Sequence, residues 1–148
     1  MYTLCACKRF GLIFRLGGKI KEVAIPKKIP QSRIKALKVA QFALDKKAKH
    51  TIVLDVSKIS GLCDYFVICS AETGTQAVAI LDWVAAKAKE NNFKMHHFER
   101  DELSEWVLGD FSDVILHVFV NEARKFYNLE HLWADAKKVR VPRKKTEK

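Results

Sequence analysis

The chain has 148 residues, 27 Lys or Arg against 17 Asp or Glu, a formal net charge of +10 and 49% apolar residues. That length suits one domain with tails, and a body of about 100 residues buries a working core without a disulfide or metal staple. No run approaches the roughly 18 consecutive apolar residues of a membrane span, so none is expected.

The charge is unevenly spread. Residues 1–35 carry nine Lys or Arg and one Glu, residues 36–136 eleven and fifteen, and residues 137–148 seven and one, giving +8, −4 and +6. Basic ends on a mildly acidic body point to work near RNA without reading it through the fold. Lysine-rich tails that aid solubility are the plainer alternative. The expected organisation is a basic, unstructured extension over 1–30, a domain over 31–136 and a basic tail over 137–148. The extension suits a flexible arm, a start placed upstream of the true one, or an organellar transit peptide, although Ser is absent before Ser32.

In chain order, Ile34, Leu37, Ala40 and Leu44 recur at helical spacing after Pro30, predicting a helix over 32–50 capped by Ser32 and closed by Lys46, Lys47 and Lys49. Thr51 to Val56 reads as a strand, and Tyr65 to Ser70 as an antiparallel neighbour after a short loop. Ala77, Val78, Leu81, Val84, Ala85 and Ala88 form the stripe of a second helix over 73–91. Phe93 to Phe98 predicts a third strand, parallel to the second through a right-handed crossover. The stretch from Trp106 to Phe119 then reads as a hairpin around Asp110 to Asp113. Its second strand is apolar on both faces, which places it inside the sheet. A helical stretch from Asn121 to about Ala136 follows. The predicted fold is α/β, with a mixed five-stranded sheet flanked by helices.

Catalytic motifs are absent. The chain has no phosphate-cradling G-x-x-x-x-G-K-[ST] or G-x-G-x-x-G, and no G-x-S-x-G. Gly74 opens the second helix, a position where free N–H groups can meet an anion, as at many helix starts. His96 and His97 point to opposite sides of a strand and do not chelate one ion, and His117 reads as a buried imidazole with a hydrogen-bond partner. Cys5, Cys7, Cys63 and Cys69 lack the spacing of a disulfide or zinc framework and read as reduced thiols. No catalytic residue, metal site or cofactor is expected. Glu99, Asp101, Glu102, Glu105, Asp110 and Asp113 surround Trp106 against Arg100 alone, a pattern suited to a partner with a basic surface. A solvated loop with Trp106 folded into the core is the competing reading.

The succession VLDVSKISGLCDYFVICSA, then a helix, then FERDELSEWVLGDFSDVILHVF and EARKFYNLEHLW resembles the ribosomal silencing factor family, the RsfS or Iojap-related proteins, over about residues 34–134. The resemblance implies a non-enzymatic protein on a nucleotidyltransferase-like fold that has lost the catalytic signature. It implies docking on the large ribosomal subunit at ribosomal protein fourteen (uL-fourteen), steric exclusion of the small subunit and repression of translation. By motif, the implied contact residues are Glu99, Glu105, Trp106, Val107, Leu108, Asp110 and Phe111. Asp64, Tyr65, His117, Arg124, Tyr127 and Trp133 also match family positions, most of them expected to hold the fold. Arg100 and Ser112 stand where the family usually has Gly, and Gly74 is displaced from its usual turn. Gly109 inside a strand suggests a bulge or close approach of the partner. A cytoplasmic setting is expected, or a mitochondrion or chloroplast if residues 1–30 are a transit peptide, where relatives serve large-subunit assembly. The basic tails would touch ribosomal RNA nonspecifically, and a free Trp106 surface would also let two copies pair. A nucleotide-handling enzyme on the same fold is the rival reading.

Overall fold

The computed structural model describes residues 13–16, 19–22, 30–101 and 103–143. Within the basic extension, Ile13–Leu16 (β1) and Lys19–Glu22 (β2) pair antiparallel as a ladder, with Ile13 opposite Glu22 and Leu16 opposite Lys19. The rest of the expectation for residues 1–29, Cys5 and Cys7 included, lies outside the described residues.

The body runs α1 (Gln31–Asp45), β3 (Lys49–Asp55), β4 (Tyr65–Ala71), α2 (Gly74–Glu90), β5 (His97–Arg100), β6 (Trp106–Asp110), β7 (Val114–Val120), α3 (Asn121–Tyr127), α4 (Leu129–Leu132) and β8 (Lys137–Val139). Its mixed sheet has the order β5-β6-β7-β4-β3-β8, with β4 and β7 parallel and every other pair antiparallel. The sheet has six strands where five were expected, because Lys137–Val139, assigned by sequence to the basic tail, pairs with β3. Strand β5 runs in the same sense as β4, as a strand-helix-strand unit requires, but β7 and β6 lie between them.

Helix α1 ends at Asp45, short of the lysines expected to close it; Lys47 turns the chain at φ 64 and Lys49 already belongs to β3. Its buried stripe is Ala36, Val39, Ala40 and Ala43, while Ile34 is exposed, so small side chains rather than the larger ones meet the sheet. In α2, Ala77, Ile80, Leu81, Val84 and Ala88 are buried, and Thr73 caps the first turn by accepting from the Gln76 N–H at 3.1 Å. The third strand begins at His97, four residues later than Phe93. The C-terminal helical stretch is broken in two by Asn128, whose left-handed φ of 42 ends α3.

The hairpin is present, with Trp106 opposite Phe119 and Asp110 opposite Ile115. Ser112 takes a φ of 77 at its turn, its N–H donating to the Asp110 carboxylate at 2.7 Å. Lys35 of α1 reaches the same turn, donating to Asp113 at 2.5 Å and to the Phe111 carbonyl at 3.3 Å. Gly109 faces α2 instead of a partner: a Cβ there would lie 2.7 Å from Leu81 Cδ1 and 3.1 Å from Met95 Sδ. Leu81 is itself buried and has little room to move. Gly109→Ala should therefore destabilise the fold by about 1–3 kcal/mol through overpacking, read as a lower urea midpoint with an unchanged slope.

Candidate functional site

Alternation along β6 sends Val107 and Gly109 toward α1 and α2, and Trp106, Leu108 and Asp110 to the other face. Register extends that second face across its neighbours: Glu99 and His117 flank Leu108, His97 and Ile115 flank Asp110, and Phe119 lies beside Trp106. The short helices α3 and α4 cover only part of it, chiefly β4 and β7, where Ala123, Leu129 and Trp133 pack around Phe66. Among the described residues of the body, the β5 and β6 end of this face is left open.

Trp106 is the centre of that opening. It is half-buried, stacked on Phe119 at 5.1 Å and leaned on by Tyr127 at 4.9 Å, and its indole N–H donates to His117 Nδ1 at 3.2 Å. The ring is thus fixed by three neighbours while part of it stays in reach of a partner, the arrangement of a preorganised anchor. Tyr127 is 51% exposed and Phe126 and Leu132 more so, extending the apolar surface onto α3 and α4. Tyr127 stands among positions of which most were expected to hold the fold; its contact with Trp106 and its exposure put it beside the candidate site. The pair Phe126-Tyr127 carried a signal, since two adjacent aromatics on a helix cannot share one buried stripe.

Of the seven residues singled out by motif, Glu99 and Glu105 are exposed and Trp106, Leu108 and Asp110 half-buried. Val107 and Phe111 are fully buried, with 0% exposure, in the core under α1 and α2. They support the hairpin from behind and are corrected from contact to core residues. The acids divide as well. Asp113 is tied to Lys35, Asp110 caps the turn, and Asp101 accepts from the Trp106 backbone N–H at 3.3 Å. Glu99, with His97 at 3.1 Å, and Glu105 keep the rim of Trp106 acidic.

At the start of α2 an open cleft of about 450 Å³ is lined by Gly74, Thr75, Val78, Asp82 and Leu103, and the loop before β6 sits against Gly74 itself, where a Cβ would lie 2.7 Å from the Leu103 carbonyl oxygen. Burial raises the Cys63 thiol and pushes that of Cys69 up to about 12, so neither is a thiolate at neutral pH. Among the described residues no cluster of His, Cys, Asp or Glu could hold a metal ion, and no helix is long and apolar enough to cross a membrane. Arg124 locks α3 in place: Nε and Nη2 donate to Glu130 at 2.8 and 2.5 Å, and Nη1 donates to the His50 carbonyl at 2.8 Å and Ser70 Oγ at 2.7 Å.

Residues 29–148 match the family described as ribosomal silencing factor during starvation. The ribosomal silencing factor RsfS of Bacillus subtilis is 41% identical over 101 residues, 68% of this chain and 86% of its own length. The chloroplastic protein Iojap of Arabidopsis thaliana is 32% identical over 107 residues, 72% of this chain and 44% of its own. A crystal structure from Bacillus halodurans is similar with a TM-score of 0.63 at 32% identity, covering 76% of this chain and 100% of that one. Another, from Chromobacterium violaceum, reaches 0.68 at 27% identity, over 80% and 98%.

His117 beneath Trp106 gives the site a pH signature. Burial lowers its imidazole to about 4, so the folded chain holds it neutral while the unfolded chain binds a proton below about 6.5. Stability should be complete above pH 6.5 and fall as pH drops from 6.5 toward 4, by about 3 kcal/mol from this residue. Urea unfolding of the wild type and His117→Gln across that range should show a shallower acid loss in the variant; equal slopes would refute the assignment.

Proposed function

The chain belongs to the ribosomal silencing factor family, and from that premise we propose that it binds the large ribosomal subunit and blocks joining by the small one, so repressing translation. The observation that carries this reading is the open end of the sheet, where Trp106 is held rigid by Phe119, His117 and Tyr127 with Glu99 and Glu105 at its rim. A stiff aromatic with an acidic border suits a basic protein surface, and ribosomal protein fourteen (uL-fourteen) is the proposed partner. An apolar anchor supplies affinity, while rim charges act mainly on encounter rate and orientation. The role is binding and steric exclusion, without catalysis. The basic ends add nonspecific contact with ribosomal RNA, and pairing of two copies through the same face would compete with the subunit.

The relatives favour a bacterial-type cytoplasmic setting by identity, and the chloroplastic Iojap proteins support a second reading, an organellar role in large-subunit assembly. Fusion of residues 1–30 to a fluorescent reporter separates the two: import into an organelle favours the second, a diffuse cytoplasmic signal the first.

Wild type should co-sediment with purified large subunits and inhibit subunit joining. Trp106→Ala, shown folded by circular dichroism, should bind about 30-fold or more weakly, the ~2 kcal/mol of an interface hot spot, and lose inhibition in proportion. Phe98, exposed on the opposite face of β5, provides the control: Phe98→Ser should leave both activities intact. Full binding by Trp106→Ala would overturn the docking face.

A further inference from the structure

At the opposite edge of the sheet from Trp106, a cleft of about 580 Å³ opens between β3, β8, α3 and the chain after β8. Strand β8 pairs only with Val53, Leu54 and Asp55, so among the described residues the first half of β3 has no strand on that side. The same half is irregular, with a register shift between Lys49 and Ile52 and a left-handed φ of 48 at His50. Such backbone persists only where its surroundings enforce it, and here Arg124 grips the His50 carbonyl at 2.8 Å.

The cleft is lined by Arg124, Lys138 and Arg143 together with apolar Ile52, Val139 and Val141. A guanidinium has five N–H donors; Arg124 places four bonds on Glu130, His50 and Ser70, leaving one N–H over. Glu130 balances its charge. Lys138 and Arg143 are exposed and have no ion pair among the described residues. The nearby acid Glu72 is taken by Lys49. The concavity therefore combines two cations without an ion pair among the described residues, a spare guanidinium donor and an apolar side, within the ordinary size of a small-ligand site.

We propose that this cleft binds a nucleoside phosphate, with the phosphates at Lys138 and Arg143 and the ring against Val139 and Val141. Both cations line one concavity instead of a ridge, which favours a compact ligand over a nucleic-acid strand. The ligand is bound and released unchanged, and the site does not depend on the docking reading above.

The full chain would be titrated by calorimetry with ADP, GDP, CDP and UDP, with adenosine, pyrophosphate and a short single-stranded RNA as comparators. At least one diphosphate should bind saturably, with adenosine and pyrophosphate each tenfold or more weaker. The double variant Lys138→Ala, Arg143→Ala should keep the wild-type melting temperature without ligand and bind that nucleotide at least tenfold more weakly. Four outcomes each overturn the proposal: no saturable nucleotide binding, undiminished binding by the double variant, pyrophosphate equal to the best nucleotide (an adventitious ion only), or RNA bound more tightly than any nucleotide through the same two residues.

Discussion

The molecule depends on an uneven covering of its sheet. Helices α1 and α2 seal one face with Ala36, Ala40, Ala43, Ala77 and Ala88 among their buried residues, small side chains that bring helix and strand backbones close. Gly109 is the extreme of that approach, since Leu81 occupies the space a side chain would need. On the other face, α3 and α4 contribute seven and four residues and pack chiefly over β4 and β7. The hydrophobic driving force that closes the first face cannot close the second, because too little helix remains to do it. A monomer rarely leaves a contiguous apolar patch of this kind without use for it.

That shortage shapes the exposed end of the face. Trp106 could have been a loose aromatic on a hairpin, with a rotamer to lose on binding. Phe119, Tyr127 and the His117 hydrogen bond restrict it beforehand, so less ordering entropy remains to be lost at contact. His117 serves this purpose only while neutral, as its Nδ1 must accept the indole proton. Its burial keeps it neutral, so the anchor and the histidine under it are one unit.

Much of this was legible because period and burial agreed. The two-faced apolar run of β7 placed it inside the sheet, and α2 announced its inner stripe except for Ile80, with Val78 and Ala85 only half-buried at its margin. Val107 and Phe111 were misplaced for a physical reason: on a hairpin whose faces are both apolar, alternation says which residues share a side but not which side is covered. Only the distribution of helices decides that. The α1 stripe was displaced because Ile34 and Leu44 outweigh alanines in any hydrophobic pattern, although close packing selects the alanines. Strand β8 was hidden in Lys-Lys-Val, whose lysines suit both a solvated tail and a strand at a sheet edge, where charge discourages further pairing. Gly109 carried a correct signal of close approach with the wrong neighbour attached.

Helix α3 joins what the sheet keeps apart. Arg124 and Tyr127 stand three residues apart on a seven-residue helix, one clamping the irregular start of β3, the other leaning on Trp106. A helix that short has little stability of its own and takes its position from its tertiary contacts. Chief among these are the Arg124 bonds to His50, Ser70 and Glu130, which span β3, β4 and α4. Whatever shifts the guanidinium must shift the tyrosine with it, since no hinge separates them before the left-handed Asn128. The aromatic at the open end of the face is therefore supported from the opposite edge of the sheet.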